Sequence, residues 1–413
     1  MKNIIPVLLL LFAINLASAQ NKKILFDATK AEAAGNADWV IDADAHNLGY
    51  SSGPAQLNQG SESNPQRIPT PAQSGITAST SESYWEGGIS AWGIDLVKKG
   101  YTVESLPFNG QITYGNTSNT QDLSNYKVFV VCEPNIVFTS AEKTAILHFV
   151  QNGGGLFMVS DHDVSDRNND GWDSPHIWDD LLTNNSIASD PFGFTFDYVD
   201  FSQTTTNLPN LPADPLLHGP MGTVTKAQWS NGTTMTLAPA HNSSVVGVIY
   251  KTGSSNVGTT NCMVAHSTYG SGRVVGIGDS SPCDDGSGDP NDQLYDGWIA
   301  DASGNHEKLI INATIWLASS VSTGIGGNPE SGSKVTFYPN PVHDKGVFSI
   351  PAGTDLSSAS VKIFSLTGTE VFHVNGLTTN EVSIDASRLS PGFYYFQILD
   401  GNRITASGKI IRN

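Results

Sequence analysis

The sequence predicts an α/β domain built on a parallel sheet with helices on both faces, followed by a small all-β sandwich. Three observations carry this expectation. From Lys23 onward, short apolar runs alternate with helix-period patterns, as strands and crossover helices of a parallel sheet do. A Gly- and Ser-rich stretch over 321–334 then has the composition of a linker. Beyond it, β-forming runs separated by turn residues dominate. At 413 residues the chain also exceeds the ~250–300 at which a single hydrophobic core stops growing.

The elements are expected in this order. Met1-Lys2-Asn3 puts a positive charge ahead of the apolar run Ile4–Leu16, which the small residues Ala17-Ser18-Ala19 close. This is the pattern of a secretory signal peptide over 1–19. Strands are expected at Ile24–Phe26, Tyr101–Leu106, Val128–Cys132, Leu156–Ser160, Val245–Tyr250, Met263–Ala265 and Val274–Ile277. Helices are expected at Ser83–Lys99, Ser140–Gln151 and His306–Ser319. Ser140 reads as the cap of its helix, with Lys143 where a capping box would need a carboxylate or amide. Two long polar stretches, 43–81 and 161–236, lack periodicity, and loops of that length are functional or disordered. The expected organisation is therefore a flavodoxin-like α/β domain over 20–320, a linker over 321–334 and a β-domain over 335–413. Val361–Ser365, Val371–Val374 and Phe393–Leu399 supply strands of the last part.

The formal net charge of -18 disfavours nucleic acid as a partner, because phosphate binding draws on Lys and Arg. After residue 19 no apolar run approaches the ~20 residues of a membrane helix, so no transmembrane segment is expected in the mature chain. Cys132 lies inside an apolar run and reads as a buried small hydrophobe. Whether Cys262 and Cys283 pair is left open by the sequence.

Tyr338-Pro339-Asn340-Pro341, Ser390-Pro391-Gly392-Phe393-Tyr394 and the ending Gly408-Lys409-Ile410-Ile411 resemble the type IX secretion C-terminal sorting domain of Bacteroidetes. That resemblance implies the type IX secretion machinery as a partner and a secreted or cell-surface location. Gly153-Gly154-Gly155-Leu156-Phe157 and Gly270-Ser271-Gly272-Arg273-Val274-Val275-Gly276-Ile277-Gly278-Asp279 are similar to the class I glutamine-amidotransferase-like fold, as in ThuA-like and related secreted proteins. The phrases around Phe26-Asp27, Asp161-His162, Trp172-Asp173 and Asp279-Ser280 resemble a poorly characterised group of secreted bacterial proteins within it. True amidotransferases carry a Cys at a nucleophile elbow; this chain does not, so glutamine hydrolysis is not implied.

Chemistry in a parallel α/β sheet gathers outside the carboxyl ends of the strands. Asp27, Glu133, Asp161 and Asp279 each follow a strand. Like charges ~4 Å apart repel by ~4 kcal/mol at an effective dielectric of ~20, so a converging set calls for protons, basic partners or a divalent cation, calcium or magnesium. Each acid taken singly also fits a helix cap or a turn. Asp166-x-Asn168-x-Asp170-Gly171 matches the opening of an EF-hand calcium loop, with Asp173 as a further ligand. The twelfth position, however, is Ile177 where that motif needs Glu. Asp284 and Asp285 add carboxylates to a Gly-rich loop after the last strand. His162, flanked by Asp161 and Asp163, is placed to transfer a proton.

No G-x-S-x-G elbow, P-loop or dinucleotide fingerprint occurs, which removes covalent serine catalysis and nucleotide cofactors. The leading expectation is a metal-assisted hydrolase of an extracellular polymer, most plausibly a polysaccharide. His162, Asp161 and Glu133 would be catalytic. Asp27, Asp161, Asp166, Asn168, Asp170, Asp173, Asp279, Asp284 and Asp285 would be metal ligands, and Trp39, Trp172 and Trp298 would stack on sugar rings. A calcium-stabilised, non-catalytic glycan-binding or surface module is the alternative. A secreted phosphodiesterase or nuclease is third.

Overall fold

The computed structural model describes residues 22–34, 37–42, 72–287, 294–319, 335–350, 356, 359–365, 369–400 and 403–413. The expected signal peptide and linker lie outside the described residues. The chain divides into two compact units, Met1–Ser320 and Val321–Asn413.

In the first unit the strands are β1 (Lys23–Asp27), β2 (Thr102–Leu106), β3 (Val128–Cys132), β4 (Gly155–Val159), β5 (Phe194–Phe196), β6 (Phe201–Thr205), β7 (Ala227–Gly232), β8 (Met235–Leu237), β9 (Val246–Tyr250), β10 (Cys262–Tyr269) and β11 (Gly272–Ile277). The main sheet runs β2-β1-β3-β4-β11-β10-β8-β5, with β9 also on β10. From β2 to β11 the pairings are parallel, as expected. From β11 onward they are antiparallel. The reversal follows from chain length: β10 and β11 are joined through Gly270-Ser271, which suits a hairpin and is far too short for a parallel crossover. Gly270 takes φ +59 there, a conformation that favours glycine.

The parallel strands are buried on both faces, and their alternate residues feed two separate cores. Ile24, Phe26, Val128, Val130, Phe157 and Val159 pack with α1 (Ser90–Lys98) and α4 (Asn305–Ala318). Leu25, Phe129, Val131, Leu156 and Met158 pack on the other face with α2 (Ser140–Gln151) and α3 (Ser174–Thr183). Continuous apolar runs are what such doubly covered strands require.

Three local readings change. The first expected helix begins at Ser90, and Glu82–Tyr84 form a separate 3-10 turn. The cap of α2 is Thr139, with Glu142 reciprocating in a full capping box, one residue earlier than expected. α3, β5, β6 and β7 lie inside the stretch read as irregular from its composition, and β8 begins within it.

The second unit pairs a three-stranded sheet (Thr336–Tyr338, Lys345–Ser349, Glu381–Asp385) with a four-stranded one (Ala359–Ser365, Glu370–Asn375, Gly392–Asp400, Arg403–Arg412). Phe348, Val361, Ile363, Phe396 and Ile410 form its own core, as expected of a small sandwich.

Candidate functional site

Strand register brings the acids together. Ser160 N–H donates to Ile277 O (2.8 Å) and Glu133 N–H to Val159 O (3.0 Å), so the ends of β3, β4 and β11 are level. Glu133 holds φ +49, a conformation uncommon outside glycine, and is fully buried. Gly278 precedes Asp279 because a Cβ there would lie 2.2 Å from Thr233 O.

One guanidinium joins two of these acids. Arg167 Nη2 donates to Asp161 Oδ2 (2.7 Å) and Nε to Glu133 Oε1 (3.0 Å). Glu133 Oε2 accepts from Trp39 Nε1 (2.8 Å) and Ser280 Oγ (2.7 Å). Asp279 accepts from the backbone N–H of Ser230 (2.6 Å) and Ser281 (2.8 Å). Burial, then the Glu133 carboxylate, holds the Asp161 carboxyl well above the usual range, Arg167 opposing and Asp279 adding. Burial likewise pushes Asp279 up to about 8, against its hydrogen bonds and with help from Glu133. Burial and the mutual repulsion of these carboxyls both favour protonation, and Arg167 is the cation that opposes it at Asp161.

Asp161 opens onto a cavity of about 270 Å³ with His162, Arg167, Ser280 and Tyr295 in its wall. His162 Nδ1 lies 2.6 Å from Asp163 O, an acceptor only, which places the ring proton on Nδ1. Nε2 is left facing Asp161 Oδ2 at 3.5 Å, and Asp200 lies 3.6 Å from Nδ1.

The remaining expected residues go elsewhere. Asp27 is buried against Glu32, and burial raises both carboxyls. Asp166 accepts from the backbone N–H of Asp170 (3.1 Å) and Gly171 (2.8 Å). Asn168 accepts from Asp170 N–H (3.2 Å) and Asp170 from Trp172 N–H (2.9 Å). These oxygens are engaged by their own loop. Asp284 accepts from Gly286 N–H (2.9 Å). Asp285 accepts from Ser90 Oγ and Ala91 N–H (both 2.7 Å), so it caps α1 across the chain. Asp173 accepts from Val164 N–H (2.7 Å) and pairs with His176 Nδ1 (2.8 Å). Among the described residues, Asp163, Asp173 and His176 bring three candidate ligand atoms within 4.8 Å of one another.

Two of the three tryptophans named for sugar stacking have no face to offer. Trp39 is 1% exposed and Trp298 4%, because their rings fill the core between α1, α4 and the sheet, and Trp298 Nε1 donates to Glu82 Oε2 (3.3 Å). Trp172 is 37% exposed. The cysteines are free: Cys262 donates to Val264 O (3.1 Å), while the Cys283 thiol interacts with that of Cys132 rather than that of Cys262. Sequence reasoning passed over Arg167 as a carboxylate partner, Ser280 as a donor to Glu133, and His176. Only the nearness of Arg167 to Asp161 in the chain offered a signal.

Residues 336–413 match the family described as the secretion system C-terminal sorting domain. The C-terminal unit carries this sorting domain. The protein is therefore exported by type IX secretion to the cell surface or beyond, and no helix among the described residues is long and apolar enough to cross a membrane. No curated protein matches the chain significantly. Among solved structures, the mmIFT52 N-terminal domain is 12% identical with TM-score 0.39, covering 72% of this chain and 97% of that one. The cytoplasmic protein STM3548 from Salmonella typhimurium is 15% identical with TM-score 0.35, covering 56% and 88%. A putative ThuA-like protein from Parabacteroides merdae is 15% identical with TM-score 0.31, covering 54% and 81%. The fold class rests on the strand order and register above.

Proposed function

We propose that the α/β unit is a secreted hydrolase of an extracellular polysaccharide, acting in the cavity at Asp161 and His162. The observation that carries this reading is the buried Asp161–Arg167–Glu133 network opening onto that cavity beside His162. Asp161, its carboxyl raised by burial and by the Glu133 carboxylate, is the proton donor to the leaving oxygen. His162, its Nδ1 proton fixed on the Asp163 carbonyl, faces Asp161 through Nε2 at 3.5 Å, so the two form one relay that gives a proton to the leaving oxygen and takes back the proton released by the attacking water. Arg167 limits the charge left behind.

A divalent cation belongs to the same proposal. Its ligands would be Asp163, Asp173 and His176, and with an imidazole in the set it would be of the zinc or manganese kind rather than calcium. Neutral glycans suit the site better than phosphodiesters. Arg167 is committed to carboxylates, and Arg273 donates to Trp316 O and Ser319 O.

The test is turnover of a polysaccharide panel by the full chain, before and after chelation. Asp161→Asn and His162→Ala are each expected to lower the rate by about 10²–10⁴-fold with little loss of folding. Turnover of no polysaccharide, or full activity in both variants, removes the hydrolase reading.

A further inference from the structure

A second concavity, of about 410 Å³, is within the ~300–1,000 Å³ range of small-ligand sites and lies outside the catalytic cavity. Trp172 and Tyr198, 37% and 51% exposed, both line it. Single exposed aromatics are ordinary on a protein surface, but two lining one hollow are not. The His176 ring packs edge-on to Tyr198 with centroids 3.8 Å apart, which fixes the Tyr198 ring in place. A flat, fixed, half-exposed ring binds an apolar sugar face with little loss of rotamer freedom.

The polar groups narrow the ligand. No Lys or Arg lines the hollow, and two carboxylates, Asp179 and Asp180, do, which disfavours an anionic ligand. Asp180 is already neutralised by Lys143 (2.5 Å). Asp179 accepts from Phe196 N–H (2.9 Å) and Tyr198 O–H (3.1 Å), so it is not an unsatisfied charge seeking a cation. Each of its oxygens keeps a further lone pair for a hydroxyl donor. Aromatic faces beside a satisfied carboxylate suit a neutral pyranose.

The two cavities share two chain segments. The loop after β4 carries Asp161 and His162 in one cavity and Trp172 in the other. The β5–β6 turn carries Tyr198 in the hollow and Asp200 beside His162. The two cavities are thus built from the same two segments of chain.

We infer that Trp172 and Tyr198 form a binding subsite for a neutral pyranose of a glycan chain whose adjoining part reaches the Asp161 cavity. This rests on the hydrolase reading for its second half only. The test is affinity electrophoresis of the full chain in gels of neutral polysaccharides (glucan, mannan, galactan, xylan), followed by calorimetry with oligosaccharides of the polymer retained. Trp172→Ala and Tyr198→Ala are each expected to weaken binding about 10-fold, and Trp172→Phe to retain most of it. If no glycan is turned over but retention depends on Trp172, the subsite stands and the hydrolase falls. If turnover occurs with KM for long chains unchanged in both alanine variants, the subsite falls and the hydrolase stands. Retention by none of the polymers, or binding of tetramethylammonium in their place, overturns the subsite.

Discussion

Two acidic regions only a few residues apart hold their charge in opposite ways. In the loop 166–171 the side chains of Asp166, Asn168 and Asp170 accept from backbone N–H groups within five positions, at the protein surface. At the strand ends Asp161, Glu133 and Asp279 are buried and held by groups far along the chain, including Trp39, Ser230 and Ser280. The sequence offered a cation for both regions, for the loop from its EF-hand-like spacing and for the strand ends from four acids that each follow a strand. Neither signal separates a turn that satisfies itself from a buried cluster that draws on a guanidinium.

The largest expected effect falls on the buried region. Arg167→Met leaves Asp161 and Glu133 without their shared cation and is expected to cost about 3–5 kcal/mol in urea denaturation. A loss below 1 kcal/mol would erase the distinction between the regions.

Next comes the pH dependence. Asp279 titrates at about 8 in the folded protein and near 3.8 when unfolded, so between these values the folded state binds more protons. Its contribution is full below about pH 4 and is lost as pH rises towards 8. Asp161, raised in the same direction, adds to the slope. The unfolding free energy in urea should fall from pH 5 to 8, by up to about 1.4 kcal/mol per pH unit for each proton held, and Asp279→Asn should flatten the fall. A level or rising free energy in the parent would contradict the buried cluster.

Smaller effects sharpen the other side of the comparison. Asp285→Ala removes the cap of α1 and is expected to cost about 1–2 kcal/mol in thermal or chemical unfolding. Asp170→Ala, in the self-satisfied loop, is expected to stay within about 0.5 kcal/mol with calcium present or absent. A calcium-dependent loss there would restore the loop as an ion site.

The sheet was legible because buried parallel strands need unbroken apolar runs, and Val128–Cys132 coincides with its strand residue for residue. The edge beyond β11 was not, since Phe194–Phe196 and Met235–Leu237 are too short to show a period. Strand-end position located Asp161, Glu133 and Asp279, but Asp27 turns to Glu32, a contact that depends on the path of the loop after β1. The aromatic residues were misjudged for a related reason. Burial of Trp39 and Trp298 is set by helix packing, whereas Tyr198 stands in a turn whose flanking strands went unread.

Trp39 is more than a spacer in the core. Its indole N–H donates to Glu133, so the electronic transition of that ring feels the charge on the cluster directly. Subtracting the emission of a Trp39→Phe variant from that of the parent isolates one ring among eight and turns it into an optical reporter. Its wavelength would follow proton uptake and ligand entry at the strand ends in real time, without any added label.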